Sequence, residues 1–255
     1  MNVLAGFADI SPAQMVLVGG MALLASIIGG LAGYGTGALM PLVLVPLVGA
    51  EPVVPIIAIS AIFTNISRFV AYFRYADRRR ALIVIGAAML TTALGAYGYT
   101  RLTGAGAALV IGGMLILSVP LRRLARYREL KIGDTGLGVS AVGYGVLVGG
   151  TSGSGVILLS LLMAVGLVGA AVIATDAVIS VATSIIKISV FGLSGAVTAQ
   201  VLAFAVLIGA ISIPGAFLAK AFVERMPVRI HTAILDAAVI AGGAVMIFAA
   251  LRNLL

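Results

Sequence analysis

Two stretches of 41 residues, 10–50 and 135–175, contain no charged side chain at all, and shorter uncharged runs separate Arg80 from Arg101 and Arg101 from Arg122. A helix needs about 20 apolar residues to cross the hydrocarbon core of a bilayer, so every one of these runs suffices and the two long ones are twice what a single crossing uses. In lipid the backbone polar groups must be paired within the segment, which makes such runs helices. A transmembrane β-barrel would alternate apolar and polar residues over about 10 positions, and no segment does. Only 9% of the 255 residues are charged and 62% are apolar, against roughly 25% charged in a soluble domain. The predicted fold is an all-α, multi-pass integral membrane protein, placed in a bacterial-type inner membrane. About eight helical blocks are expected, at Gln14–Pro46, Pro52–Phe73, Ala81–Thr100, Gly104–Leu121, Gly136–Leu167, Ala170–Phe191, Thr198–Phe222 and His231–Leu251.

Both long stretches are interrupted midway by glycine and hydroxyl residues, Gly33-Tyr34-Gly35-Thr36-Gly37 in the first and Gly149-Gly150-Thr151-Ser152-Gly153-Ser154-Gly155 in the second. Gly35-Thr36-Gly37 recurs as Gly153-Ser154-Gly155 after 118 positions, and Thr64-Asn65-Ile66-Ser67-Arg68 as Thr183-Ser184-Ile185-Ile186-Lys187 after 119. The chain therefore reads as a single transmembrane domain of two homologous halves, 1–131 and 132–255, each beginning with a glycine-broken or re-entrant segment. Paired, glycine-interrupted apolar segments at matching places in two halves point to a transporter's binding site.

The net charge of +8 is concentrated in short loops: Arg74 and Arg78 to Arg80, then Arg122, Arg123, Arg126, Arg128 and Lys131, then Lys220, Arg225 and Arg229. That placement follows the positive-inside rule and argues against nucleic-acid binding. If all three clusters face the cytoplasm, the second broken block goes in and comes back. The first block then ends at Glu51 on the opposite side, so the halves are inverted.

The breaks are the first candidate site. Half-helix N-termini present free N–H groups and a positive dipole end, which attract anions. Tyr34 and Thr36 in the first break and Thr151, Ser152 and Ser154 in the second add hydroxyl donors. The alternative reading is close helix packing, since Gly29, Gly33 and Gly37, like Gly145, Gly149 and Gly153, recur every fourth residue. Packing explains the glycines but not the clustered hydroxyls. Arg68 and Lys187 each lie deep in an apolar block at equivalent repeat positions. Charges there face a cavity or a partner, unless the side chain snorkels to an interface. In inverted halves the two cations sit toward opposite sides of the membrane, where an anion meets each in turn. Asn65 and Ser184 lie beside them as hydrogen-bonding residues. Asp176 is an ion-pair or coupling-proton candidate, with a helix-start role at the interface as the alternative.

At these residues the sequence resembles the sulfite exporter TauE/SafE permeases. The likeness is carried by the early G-x-x-x-G-Y-G-T-G break, the stretch from Thr64-Asn65 to Arg68, the break at Gly149–Gly155 and the two repeated halves, and it covers essentially the whole chain. It implies a membrane permease for a small sulfur-containing anion such as sulfite, sulfoacetate or another organosulfonate, working by alternating access. The rival from another class is a passive anion channel with the breaks as its filter. An enzyme is disfavoured. Cysteine is absent and His231 is the only histidine, so no thiol nucleophile exists and any Ser–His relay or histidine metal site would depend on that one residue. No nucleotide-binding glycine register fits either break. Neither cofactor nor metal is expected, the partners are the oxyanion and the lipid bilayer, and a homodimer is the expectation that glycine-rich faces allow. Met1 to Gln14 lacks the basic residues of a signal peptide.

Overall fold

Each uncharged 41-residue stretch is two helices rather than one. The computed structural model describes residues 6–7, 10–32, 35–128, 131–222 and 228–252. Among them are ten α-helices: α1 (Pro12–Ala32), α2 (Thr36–Val48), α3 (Val53–Tyr72), α4 (Arg78–Tyr99), α5 (Gly104–Arg128), α6 (Asp134–Gly150), α7 (Gly155–Ala164), α8 (Ala170–Leu193), α9 (Ala199–Phe222) and α10 (Val228–Arg252). The eight expected blocks become ten helices because the first and fifth divide at their glycine-hydroxyl breaks. α2 and α7, with 13 and 10 residues, extend about 20 and about 15 Å. Neither reaches across a core about 30 Å thick. Four helices, α3, α4, α5 and α8, are long and apolar enough to do so by length and composition.

Loop contacts tell the two ends of the bundle apart. At the near end, Asp134 at the start of α6 pairs with Arg79 at the start of α4 at 2.7 Å. The Asp77 N–H donates to Thr175 Oγ1 in the first turns of α8 at 2.9 Å. Asp77 also caps α4, accepting from the Arg80 N–H at 3.0 Å. The Ile132 N–H donates to the carbonyl of Ala164, the last residue of α7, at 3.0 Å. So α6 runs inward from the near end and α7 returns to it. At the far end, Tyr99 closing α4 donates to the carbonyl of Ala50, just past α2, at 2.6 Å. Phe7, just before α1, packs edge-on against Phe204 near the start of α9 at 5.5 Å. Hence α1 runs inward from the far end and α2 returns there. The two broken segments are hairpins inserted from opposite ends, which gives the halves inverted topology.

The halves interlock. α1 packs along α9 and α6 along α4; α3 lies against α8 and α5 against α10; α3 also meets α9, as α4 meets α8. Exchanging α1–α5 with α6–α10 maps this set of pairings onto itself, as a pseudo-twofold requires. Small residues permit the close crossings. A Cβ added to Gly112 on α5 would lie 2.8 Å from the Gly243 carbonyl oxygen on α10, and one added to Gly243 would lie 2.8 Å from that of Gly112. On α6, Gly145 and Gly149 press against Ala88 and Thr92 of α4. The four-residue glycine spacing thus serves helix packing at Gly145 and Gly149, while Gly153 belongs to the break.

Candidate functional site

The hairpin tips meet in the middle of the bundle. Ser152 Oγ donates to the Gly37 carbonyl, and a Cβ on Gly37 would lie 3.2 Å from the Gly153 nitrogen. Gly153 has φ +86°, a left-handed conformation that glycine adopts without steric cost. The residues preceding α2 and α7 are Gly35 and Ser154, and neither provides a side-chain hydrogen bond to its helix start. Ala38 N–H turns back to the Gly35 carbonyl and Ile157 N–H to the Ser154 carbonyl, and the amides before them, which have no i−4 carbonyl to meet, are two sets of donors open to a ligand deep in the protein.

These helix starts border a cavity of about 120 Å³. It is smaller than the roughly 300–1,000 Å³ pockets of drug-sized ligands and suits an ion of a few heavy atoms. Its walls come from α3 and α8. On α8, Asp176, Ser180, Thr183, Ser184 and Lys187 line it, and on α3, Ile57, Ala61, Thr64, Asn65 and Arg68 do so at identical spacing, 119 positions earlier. The steps of four, three, one and three residues keep each set on one helix face.

The two stripes differ where charge is concerned. Arg68 Nη1 lies 3.4 Å from Asp176 Oδ2, an ion pair between α3 and α8 whose side chains are 15% and 2% exposed. Arg68 Nη2 also donates to Asn65 Oδ1, which leaves the Asn65 NH₂ to donate elsewhere. In the other stripe the position equivalent to Asp176 is Ile57. Lys187, 6% exposed, donates to the Thr151 carbonyl in the second hairpin tip at 3.4 Å. Among the described residues no carboxylate lies within 4.0 Å of its ammonium. Asp176 is therefore a buried ion-pair partner, not a helix-start residue at an interface, and Arg68 does not snorkel away from the core.

Thr36, Asn65, Arg68, Thr151, Ser152, Ser154, Asp176, Ser184 and Lys187 all line this one cavity; Tyr34 lies outside the described residues. The cations expected toward opposite sides do face it from different levels. Arg68 is level with Asp176, and Lys187 stands 11 residues further along α8, about 16 Å of helix. Both nevertheless border one space. Ser26, Thr64, Tyr144, Ser180 and Thr183 line it too, although none is among the residues the sequence singles out as ligands. Thr64, Thr183 and Ser180 were legible as members of the helical stripes. Ser26 and Tyr144 carry no such signal, and Ser26 also ties α1 to α9 by donating to the Ser212 carbonyl.

No curated protein and no solved structure gives a significant match to the chain. A family model does: residues 18–246 match the model described as sulfite exporter TauE/SafE, which takes in the second hairpin, the first from residue 18 onward, and every described lining residue of the cavity. A membrane protein built from apolar helices, with its polar residues gathered where two broken segments meet, thus belongs to the sulfite exporter TauE/SafE family of transporters.

Proposed function

We propose that the protein is a secondary transporter or facilitator for a small sulfur-containing anion, such as sulfite, sulfoacetate or another organosulfonate, in a multi-pass arrangement across an inner membrane. The observation that carries this reading is the convergence of two uncapped half-helix starts, the half-buried Arg68 and the buried Lys187 on one cavity between oppositely inserted hairpins. Oxyanions need several donors at once, and Thr36, Asn65, Ser154 and Ser184 stand beside Arg68 and Lys187 to supply them, while Ser152 gives its one proton to the Gly37 carbonyl and holds the tips together. Helix N-termini strengthen the same preference. The arginines at the starts of α4 and near the end of α5 orient the near end to the cytoplasm. The hairpins then reach the cavity from opposite faces, and rocking of one half against the other would expose it alternately.

Purified protein is expected to rise in thermal stability with sulfite, sulfoacetate or methanesulfonate. At a hundred times the dissociation constant the gain is about 2.7 kcal/mol. Taurine, phosphate and carboxylates serve as comparisons. Replacing Lys187 with Met keeps side-chain length and removes one charged hydrogen-bond donor, worth about 1.5–3 kcal/mol. Lys187→Met should therefore weaken binding tenfold or more, about 1.4 kcal/mol per decade. Binding at parental affinity by that variant would remove Lys187 from the site. A passive channel is the second reading. Saturation and counterflow in proteoliposomes would support a carrier, whereas unitary currents without saturation at millimolar substrate would support the channel.

A further inference from the structure

We infer that Asp176 sets the charge of the anion this cavity accepts, selecting one negative charge over two. The inference rests on the anion-site reading above and narrows it. Of the described residues lining the cavity, three are charged: Arg68, Asp176 and Lys187. Asp176 already meets Arg68 at 3.4 Å, so these three side chains sum to a single positive charge, located at Lys187. The repeat sharpens the point. Apart from 57 against 176 and 61 against 180, the stripes on α3 and α8 match in chemical type: Thr64 with Thr183, Asn65 with Ser184, Arg68 with Lys187. Where the second stripe places Asp176 and Ser180, the first has Ile57 and Ala61. A carboxylate stands in one stripe only, opposing the cation of the other stripe, and Lys187 faces no equivalent.

Buried charge is tolerated when it is balanced. A monoanion beside Lys187 closes the account at zero, while a dianion leaves one uncompensated negative charge in a site already containing a carboxylate. The half-helix starts supply donors and partial positive charge, but each helix is neutral overall, with its carbonyl end about 15–20 Å away. The integer charges therefore decide valence. The favoured ligands are a sulfonate bearing no second charge, or hydrogensulfite in place of sulfite. Sulfoacetate, with its additional carboxylate, is disfavoured. Removing the carboxylate of Asp176 relieves repulsion on a dianion twice as much as on a monoanion. At about 16 Å and an effective dielectric near 20 that difference is about fivefold in relative affinity.

The test uses methanesulfonate and sulfate, which share a tetrahedral sulfur and differ in charge, titrated calorimetrically into the purified full chain and its Asp176→Asn variant. The parent should bind methanesulfonate more tightly than sulfate, and Asp176→Asn should move that ratio toward sulfate by about fivefold. If Asp176→Asn is not recovered folded, the parent's own ratio decides. Equal or preferential binding of sulfate by the parent overturns charge selection while leaving the anion site intact, as does an unchanged ratio in the variant. Binding of neither anion by the parent, at concentrations where the family's sulfur anions are also without effect, overturns the site reading and this inference with it.

Discussion

Gly149→Leu is expected to leave no correctly assembled protein. Gly149 lies on α6 where the helix presses directly onto α4. A Cβ there would overlap the Thr92 carbonyl oxygen and come within 2.8 Å of the Ala96 nitrogen. These are backbone atoms of a continuous helix, so no side-chain rotation can make room, and α4 and α6 must separate along their shared length. Overpacking a well-filled core costs about 1–3 kcal/mol when side chains can adjust, and this case begins at the upper limit because they cannot. Separation would also shift the second hairpin tip, which starts at Thr151, and with it the Lys187 contact to the Thr151 carbonyl. The comparison variant is Gly143→Leu on the same helix. That position is exposed and a Cβ there meets nothing within 4 Å, so the gain in helix propensity, about 1 kcal/mol, should leave assembly unharmed. Size-exclusion profiles and thermal midpoints in detergent measure both. A monodisperse Gly149→Leu protein melting within a few degrees of the parent would mean that α4 and α6 do not pack as described.

Much of this arrangement could be read from the chain because lipid restricts the choices. Charge-free runs of the length found at 10–50 and 135–175 can only be helices, and the hydroxyls amid glycine at Thr36 and at Thr151 to Ser154 have no role in a plain span. The recurrence of Thr64–Arg68 as Thr183–Lys187 falls on both cavity walls. The inversion followed from the placement of arginines, and the contacts of Asp134, Ile132 and Tyr99 give the same topology. What stayed illegible depends on contacts between helices distant in sequence. Nothing local distinguishes Ser26 or Tyr144 from an ordinary polar residue in an apolar helix, because α1 and α6 reach the cavity only through their packing on α9 and α4. The pairing of Arg68 with Asp176 spans 108 positions, and the meaning of Ile57 emerges only once the two stripes face each other. Eight blocks correspond to ten helices because each broken block counts once in the sequence, although the placement of the basic loops already has the second one going in and coming back.

The asymmetry between the stripes predicts that two equivalent cations respond oppositely when removed. Arg68→Ala strands the Asp176 carboxylate, whose side chain is 2% exposed, without its positive partner. Breaking a buried ion pair from one side costs about 3–5 kcal/mol because the remaining charge is still desolvated. The variant should therefore melt far below the parent whether or not any anion is present. Adding Asp176→Asn to Arg68→Ala removes the stranded charge and should recover most of that loss, since deleting both partners is far milder than deleting one. The interaction term of the double-mutant cycle should then reach at least about 2 kcal/mol, near the top of the range for contacting residues. Lys187→Met strands no charge, because Ile57 occupies the position where a carboxylate would stand, and leaves only the Thr151 carbonyl without its 3.4 Å donor. It exchanges a desolvated ammonium for an apolar group of similar length, so the unliganded protein should be as stable as the parent or more so, even while anion binding is lost. Destabilisation of that variant by as much as Arg68→Ala would show that Lys187 carries a structural partnership equal to the Arg68–Asp176 pair. Equal and additive effects of Arg68→Ala and Asp176→Asn would show that the pair is not coupled, and the charge balance of the cavity would then have to be drawn without it.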